Sequence, residues 1–358
     1  MEKTPAQFYT ESASAWEAML STCAEAQKTI EMEQYIFEND SIGGRFIEIF
    51  KQKQKAGVRV RLIYDTVGSY YFYKSPLVRE LRRLGVQIRF FNIISPWRIH
   101  NIFSWYFRDH RKILVVDGKI GFTGGVGIRE DMKFWRDTNL KVVGVVVEEM
   151  QNAFNEMWAL TAEKNIWQRI KRARLYPKKI NFVTNTPYLR RKFLYRQVIE
   201  AIRLSKGYVF ITTPYFIPNQ KLIKVLRKAV RRGVDVRVIV PKTLDLSIAS
   251  RASHSFFYEL LSHGVRMFQY NGNFIHAKTA VIDDKWSTVG SFNFDNLSFT
   301  YNHEANIIST EYGFINELKN HFENDLMKCQ EVKIEEWIKR PIAWKIREFM
   351  IMPFRRFI

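Results

Sequence analysis

The sequence predicts an α/β protein made of two homologous halves, each a mostly parallel mixed sheet flanked by helices, related by a pseudo-twofold axis. Three observations favour this fold class. The chain has 358 residues, which is too long for a domain with a single small hydrophobic core. Strand-like segments alternate with helix-like segments, as in parallel βαβ units. The order of these segments recurs later in the chain, which indicates an internal duplication.

The first half alternates helices with strands. A change of side-chain character at every second residue marks residues 29–37 as a strand. The predicted elements, in chain order, are a helix at 13–28, a strand at 29–37, a helix at 44–56, a strand at 57–65, a helix at 76–84 and a strand at 86–91. Strands joined by helices in this way are expected to pair in parallel.

The second half repeats that order. Its predicted elements are a strand at 209–212, a helix at 221–232, a strand at 233–240, a helix at 253–262 and a strand at 264–268. Glycines at the starts of corresponding strands also match: Gly57 with Gly233 and Gly85 with Gly264, at offsets of 176 and 179 residues. A nearly constant offset with matching elements is the pattern that a duplication leaves.

We expect four regions along the chain. The first half occupies residues 1–165 and the second half residues 186–335. A basic linker at 166–185 separates them, and a basic amphipathic tail follows at 336–358. Within the linker, residues 167–179 are rich in Lys and Arg and contain no acidic residue, which is typical of a solvated charge run or a surface helix.

Composition limits the partners and the compartment. Lys and Arg number 56 against 36 Asp and Glu, a net charge of +20, which predicts an anionic partner such as nucleic acid or a membrane rich in acidic lipid. The two cysteines, Cys23 and Cys329, give neither metal-ligand spacing nor a disulfide framework. No segment has the length of a membrane span, and the N-terminus lacks the apolar core of a signal peptide. We therefore expect a location on the cytoplasmic side.

One short pattern, H-x-K-x4-D, occurs twice. The three specified positions of the pattern are His110, Lys112 and Asp117 in the first copy and His276, Lys278 and Asp283 in the second. Both copies run into apolar, strand-like segments, and residues i and i+2 of a strand point to the same face. Each half therefore presents an imidazole beside an ammonium, and a pseudo-twofold axis brings the two sets into one pocket.

Such a pocket suits a phosphodiester. The lysines would hold the nonbridging oxygens, one histidine would attack phosphorus, and the other would protonate the leaving oxygen. A single copy of the pattern would equally fit a structural histidine at a strand edge. Two copies, in step with an independent repeat, favour the catalytic interpretation.

The motifs and their surroundings resemble the phospholipase D superfamily and, within it, bacterial cardiolipin synthases. The resemblance runs from about Tyr35 to about Ile308. Besides the two motifs it rests on Tyr35-Ile36-Phe37, Trp135-Arg136-Asp137-Thr138, Thr213-Pro214-Tyr215-Phe216-Ile217-Pro218, Gly290-Ser291-Phe292-Asn293-Phe294-Asp295, Ser298-Phe299 and Asn302-His303-Glu304. The chain departs from many synthases at Gly127, where they carry Asn, and at Asn296, where they carry Arg.

The resemblance implies catalysis through a phosphohistidine, without a metal or other cofactor. It also implies that an acidic residue accepts a hydrogen bond from each motif histidine. We expect Asp137 to orient His110 as nucleophile, and Glu304 to orient His276 as acid and base. The full predicted catalytic set is His110, Lys112, Asp117, Asp137, His276, Lys278, Asp283, Ser291, Asn293 and Glu304.

Three segments suggest contact with a membrane surface. Residues 90–107 are rich in aromatics and form either a loop at the pocket mouth or a buried connection. Residues 70–73 could extend the same surface. In the tail, Ile342, Ile346 and Met350 recur at helical spacing among basic residues, as in an interfacial helix or a helix packed on its own domain.

The resemblance implies a phosphatidyltransferase that joins two phosphatidylglycerol molecules into cardiolipin and releases glycerol. The partner is then an anionic phospholipid surface, with peripheral attachment. A phospholipase D hydrolase that makes phosphatidic acid is an alternative. A nuclease of the same superfamily also fits the charge, although the aromatic segments make nucleic acid a less favoured partner. A non-catalytic binding relative would be expected to carry a broken motif, and both copies are intact.

Overall fold

A computed structural model describes residues 6–93, 106–162, 178–187, 191–242 and 247–351. Most of the predicted aromatic loop and of the predicted basic linker falls outside these residues. The division of the chain at the linker therefore stays a prediction. None of the helices in the described ranges combines the length and the apolar character needed to cross a membrane.

The first half forms one sheet with helices on its faces. Its strands are β1 Ala6–Glu11, β2 Thr29–Gln34, β3 Arg59–Asp65, β4 Gln87–Phe91, β5 Ile113–Val116, β6 Ile120–Gly124 and β7 Arg136–Val143. Its helices are α1 Ser12–Ala24, α2 Ser41–Lys55, α3 Tyr70–Lys74, α4 Leu77–Arg83 and α5 Val145–Leu160. The strand order is β1-β7-β6-β5-β2-β3-β4.

The second half repeats this arrangement with additional strands. Its strands are β8 Ile180–Thr186, β9 Arg191–Lys192, β10 Tyr208–Thr212, β11 Phe216–Ile217, β12 Asp235–Pro241, β13 Arg266–Tyr270, β14 Thr279–Ile282, β15 Trp286–Gly290, β16 Phe294–Asp295, β17 Glu304–Ser309 and β18 Cys329–Glu331. Its helices are α6 Phe193–Leu204, α7 Gln220–Arg231, α8 Ser247–His254, α9 Phe257–Ser262, α10 Asn296–Thr300, α11 Tyr312–Leu326, α12 Ile334–Ile338 and α13 Ile342–Ile351. The main sheet has the order β18-β13-β12-β10-β14-β15-β17-β8-β9, and β11 pairs with β16 separately.

Both sheets are mixed, but parallel pairing is less extensive than the sequence suggested. In the first sheet only β2, β3 and β4 are parallel, and in the main sheet of the second half only β10, β12 and β13 are. The separate pair of β11 with β16 is parallel, and the remaining pairs in these two sheets are antiparallel. The reason is that a short hairpin turn joins each motif strand to the next strand, β5 to β6 and β14 to β15. A hairpin can join only antiparallel strands.

Two matched glycines explain why the repeat is visible in the sequence. Gly57 ends the turn after α2 and Gly233 ends the turn after α7, with φ of 86° and 85°. This left-handed conformation costs least for glycine, so it favours the residue just past a helix. Helix α7 matches its prediction closely, since it begins one residue before the predicted start and is capped by the Asn219 side chain. The helix predicted at 253–262 is instead divided between the end of α8 and α9.

The two halves share a core. Each half has its own cluster of buried apolar residues, and a third cluster spans the boundary between the sheets. In that cluster Val115, Leu140 and Met150 of the first half pack with Val281 and Ile307 of the second. Burial of this surface from water holds the two sheets in one relative position. A site assembled from both halves therefore has a fixed geometry.

Candidate active site

Backbone hydrogen bonds join the two halves beside the first motif. The segment before His110 pairs in parallel with the segment before Glu304, through a bridge between Asp109 and His303. The His110 N–H donates to the His303 carbonyl at 3.0 Å, and the His303 N–H donates to the Arg108 carbonyl at 2.8 Å. The first motif histidine is thus held by the second half.

Equivalent backbone hydrogen bonds hold the second motif. Arg136 and Ile275 form a parallel bridge, and the His276 N–H donates to the Arg136 carbonyl at 2.7 Å. The Arg136 N–H in turn donates to the Phe274 carbonyl at 3.0 Å. The Arg136 guanidinium adds two bonds of 2.8 and 2.7 Å to the carboxylate of Asp325 on α11. The pseudo-twofold relation predicted from the repeat is therefore visible in the contacts around both histidines.

Each histidine is paired with the acid of the other half, which corrects the expected partners. His110 Nδ1 lies 3.0 and 3.1 Å from the two carboxylate oxygens of Glu304. His276 Nδ1 lies 2.8 Å from Asp137 Oδ2. The expected pairs were His110 with Asp137 and His276 with Glu304. The interdomain bridges explain the exchange, because they place the start of β17 beside His110 and the start of β7 beside His276.

The histidine and lysine of each motif lie together, as the strand period predicts. In each motif the histidine and the lysine lie just before the strand, β5 or β14. The Lys112 ammonium donates to the His110 carbonyl at 2.8 Å, and the Lys278 ammonium donates to the His276 carbonyl at 2.5 Å. The intervening Arg111 side chain turns the other way and bonds Glu33 at 2.6 Å.

Burial keeps the histidines neutral in the absence of substrate. It lowers the pKa of His276 to about 3, helped by the nearby Lys278 charge and opposed by Asp137. Burial also lowers the pKa of His110, against the opposing charge of Glu304. An ionised carboxylate only accepts hydrogen bonds, so each Nδ1 carries the proton and each Nε2 presents a lone pair.

The lysines are also perturbed. Burial lowers the pKa of Lys112 to about 8 and that of Lys278 to about 7, although Glu304 and Asp137 oppose the shift. A bound phosphate anion would favour the charged form of both ammoniums and of both imidazoles. The pocket is therefore suited to an anionic group and unfavourable for an additional cation.

Two serines support the acid that faces His110. The Ser298 hydroxyl donates to Glu304 at 2.7 Å, and the Ser291 hydroxyl donates to the other carboxylate oxygen. Burial alone would raise the pKa of Glu304, but His110, Lys112 and the Ser291 bond outweigh it and lower the pKa. Ser291 is in the predicted catalytic set and Ser298 is not, although the Ser298-Phe299 segment belongs to the family resemblance.

The surroundings of Asp137 in the first half differ from those of Glu304 in the second. Gly125 occupies the position equivalent to Ser291, and a Cβ there would overlap the Asp137 carboxylate. Asn293 is buried and bonds the Asp295 carboxyl, whose pKa burial raises to about 7. The equivalent Gly127 has Ile36 and Met132 too close for a larger side chain without displacement. The two sides of the pocket are thus similar in their reactive groups and unequal in their surroundings.

Aromatic rings that are not in the predicted catalytic set cover each histidine. The Tyr35 ring lies 4.9 Å from the His110 ring, edge on, and 5.6 Å from the Lys112 ammonium. The Trp135 ring lies 5.0 Å from the His276 ring, and Phe274 lies 6.0 Å from it. These rings exclude water from one side of each imidazole and account for part of its burial.

Asp117 and Asp283 lie outside this group, so their contacts do not support the catalytic role predicted for them. Each follows the far end of a motif strand. The Asp117 carboxylate accepts the backbone N–H groups of 27–29 at 2.7 to 2.9 Å. The Asp283 carboxylate accepts those of 206–208 at 2.6 to 2.8 Å. Both aspartates therefore tie a hairpin turn to the start of the neighbouring strand.

The grouped residues can carry out phosphoryl transfer. They supply two imidazoles, each with a fixed tautomer, and two ammoniums beside them. One Nε2 can attack phosphorus while the other handles the proton of the leaving or entering oxygen. Over the ranges that the structure describes, no group of three or more His, Cys, Asp or Glu side chains is placed to hold a metal ion.

Comparison with known proteins supports this chemistry. A family model described as "Cardiolipin synthase, PLD-like domain" matches residues 19–158 and 198–326. Cardiolipin synthase 1 of Bacillus cereus is 31% identical over 367 residues, covering 97% of this chain and 71% of that protein. Cardiolipin synthase A of Pseudomonas fluorescens is 34% identical over 331 residues, covering 90% of this chain and 68% of that protein. The cardiolipin synthase of Halalkalibacterium halodurans is 34% identical over 334 residues, covering 89% and 65%.

Solved structures share the fold. Phosphatidylserine synthase of Haemophilus influenzae superimposes with a TM-score of 0.76 at 12% identity, covering 100% of this chain and 94% of that one. Polyphosphate kinase of Porphyromonas gingivalis gives a TM-score of 0.65 at 12% identity, covering 98% and 53%. At this identity the likeness concerns architecture alone. Together with the sequence relatives and the matched family model, it establishes that the chain belongs to the cardiolipin synthase family, with domains of the phospholipase D type.

Proposed function

We propose that this protein is a cardiolipin synthase that transfers the phosphatidyl group of one phosphatidylglycerol to the glycerol hydroxyl of another. The crossed pairs, His110 with Glu304 and His276 with Asp137, are the observation on which the proposal rests. They supply two oriented bases in one pocket, as a two-step exchange requires. The three sequence relatives described above are all named cardiolipin synthases.

In the first step His110 Nε2 attacks the phosphorus of phosphatidylglycerol. The P–N bond forms as the P–O bond to glycerol breaks. His276, charged in the presence of the phosphate anion, gives its Nε2 proton to the departing glycerol oxygen. Lys112 and Lys278 neutralise the nonbridging oxygens. The products are free glycerol and a phosphatidyl group on His110.

In the second step the now neutral His276 accepts a proton from the glycerol hydroxyl of a second phosphatidylglycerol. That oxygen attacks phosphorus, and the bond to His110 breaks. Cardiolipin leaves with the enzyme in its starting state, so atoms and protons balance over the cycle. Glu304 stabilises the positive charge that develops on His110, and Asp137 does so for His276.

Asn293 and Ser291 complete the pocket in this proposal without reacting. Ser291 holds Glu304, and Asn293 holds Asp295 beside it. The substrate reaches the pocket from an anionic membrane surface on the cytoplasmic side, to which the protein attaches peripherally. The net charge of +20 supports such attachment.

The product formed from phosphatidylglycerol vesicles tests the proposal. The purified protein is incubated with the vesicles, and the lipids and the aqueous phase are analysed. Equal amounts of cardiolipin and glycerol are expected. Phosphatidic acid with glycerol would identify a hydrolase instead. Unchanged lipid, together with cleavage of DNA or RNA, would identify a nuclease.

A further inference from the structure

Exposed apolar side chains gather at the edge of the molecule that carries the catalytic histidines. In the first half, β2, β3 and β4 are parallel, so their carboxyl ends meet at one edge. β2 leads there into Tyr35, which covers His110. β3 leads into Val67 and then into the exposed Tyr70 and Tyr71 of α3, and β4 leads into the exposed Ile93.

Hydrogen bonds tie α3 to the catalytic segment. The Ser69 hydroxyl, just before α3, donates to the Tyr35 carbonyl at 2.9 Å. Asp65, at the end of β3, accepts the Asp109 N–H at 2.9 Å, next to His110 in the chain. Tyr71 is 75% exposed although it lies on an element bonded to the site. Tyr71 therefore lies at the rim of the pocket.

Phe134 brings a second exposed ring to the same rim. It is 70% exposed and immediately precedes Trp135, whose ring lies 5.0 Å from that of His276. Lys133 lies 5.7 Å from the Phe134 ring, just as Lys74 lies 5.9 Å from the ring of Tyr70. An aromatic ring with a cation beside it suits the boundary between acyl chains and anionic headgroups.

The second half contributes α13. This helix packs against α8, which contacts β11, and β11 pairs with β16 directly after Asn293. Ile342, Ile346 and Met350 recur every four residues and so share one face, and they are 74%, 53% and 60% exposed. Contacts through α8 and β11 thus link α13 to the segment that follows Asn293, and the apolar face of α13 is exposed to solvent.

We infer that these residues form the surface through which the protein docks on an anionic bilayer. We define this docking rim as Tyr70, Tyr71, Phe134, Ile342, Ile346 and Met350. The inference rests on the proposed function, because a lipid substrate must enter from a bilayer at the edge where the histidines lie. Leu204, Tyr312 and Met327 are also exposed, but they lie far apart in the chain on other elements, and such scattered apolar residues are normal on a protein surface.

Charge complementarity and position identify the partner as a bilayer. The rim alternates apolar side chains with Lys74, Lys133 and Lys345, a pattern that matches an anionic lipid surface. Both halves contribute on either side of one pocket, so a flat surface resting on the rim lies across its mouth. Docking there delivers a headgroup to the histidines without full extraction of the lipid.

The test compares a rim variant with a matched control. The rim variant is Tyr71→Ser, Phe134→Ser and Ile346→Ser combined, and the control is Leu204→Ser, Tyr312→Ser and Met327→Ser. Cosedimentation with vesicles of phosphatidylglycerol and phosphatidylcholine measures binding. We expect the rim variant to bind at least about ten-fold more weakly than the wild type and the control to bind normally. Hydrolysis of a soluble nitrophenyl phosphodiester should be unchanged in both.

Equal vesicle binding by the rim variant and the control would overturn the docking surface, whatever lipid product the wild type makes. A rim variant that binds vesicles normally but loses self-association would also overturn it, by making the rim an interface between two copies. Loss of binding only in the rim variant, with soluble activity and melting temperature retained, supports it. Failure of the proposed function would appear separately, as the wrong product from phosphatidylglycerol.

Discussion

His110 Nδ1 lies 3.0 Å from a carboxylate oxygen of Glu304, a residue 194 positions further along the chain. This contact makes each half incomplete without the other. The first half supplies His110 and the acid that orients His276. The second half supplies His276 and the acid that orients His110. Catalysis therefore requires both halves in their observed relative position, which the shared core maintains.

The crossed pairing predicts which carboxylate, Asp137 or Glu304, assists protonation of the leaving group. His276 protonates the leaving oxygen, so a nitrophenolate leaving group should reduce the need for His276 and for its partner Asp137. Asp137→Asn should lower kcat on phosphatidylglycerol by about 100- to 10,000-fold but have a much smaller effect on the burst of nitrophenolate released in the first turnover, because only the second step then needs His276 as a base. Glu304→Gln, the matched control, should lower both. The reverse result would make His276 the nucleophile and His110 the acid and base.

The lysines predict an alkaline limit to activity. The charged ammonium is the form that neutralises the phosphate, so activity falls as pH rises through its pKa. Burial lowers that pKa to about 7 in Lys278 and about 8 in Lys112. The kcat/KM for a soluble phosphodiester, which reports the free enzyme, should therefore decline above this range.

Lys278→Arg provides the control for that limit. Arginine stays charged throughout, so the variant should retain some activity and lose the decline assigned to Lys278. The measurement is the pH profile of kcat/KM for both enzymes. An alkaline limb that stays in place in the arginine variant would assign the limit to another group.

The two motif aspartates should affect stability and leave the chemistry unchanged. Asp117→Asn weakens bonds from three backbone N–H groups, so we expect a free energy of unfolding lower by about 1–3 kcal/mol. Asp283→Asn should behave alike. Denaturant unfolding measures the loss, and kcat of the folded protein should stay within about two-fold of the wild type. A large fall in kcat with unchanged stability would return these residues to the catalytic set.

Activity should persist in excess EDTA. In the proposed mechanism the ammoniums of Lys112 and Lys278 neutralise the phosphoryl oxygens, a role that a divalent cation fills in other phosphotransferases. Initial rates with and without the chelator provide the measurement. A rate lost in EDTA and restored by one added metal would show that the lysines are insufficient.

The sequence predicted the repeated elements well because they depend on local patterns. The apolar period of α7 and the glycine at 233 after it locate this part of the second half, and Gly57 does the same for α2. The extent of parallel pairing was overestimated, since local patterns do not show that the motif strands fold back as hairpins. Turns anchored by Asp117 and Asp283 determine that pairing.

The sequence predicted that the residues around the two histidines lie together, apart from Asp117 and Asp283, but it did not predict which acid pairs with which histidine. Asp137 and Glu304 follow their own motifs at almost the same spacing, so sequence alone makes each the natural partner of its own half. The exchange depends on the backbone bridge between Asp109 and His303, a contact over nearly two hundred residues. Ser298 was missed for a similar reason, because its hydroxyl reaches Glu304 only after α10 forms.

The most direct test of the shared site is to trap its covalent intermediate. The His276→Ala enzyme is mixed with a radiolabelled phosphodiester that has a nitrophenolate leaving group, quenched during turnover and mapped by peptide, with His110→Ala as the control. Both variants should remain folded and lose turnover of phosphatidylglycerol. We predict an acid-labile phosphoryl adduct on His110 in the first variant and none in the second. An adduct on His276 in the His110→Ala enzyme, or substantial turnover by either variant, would contradict the account.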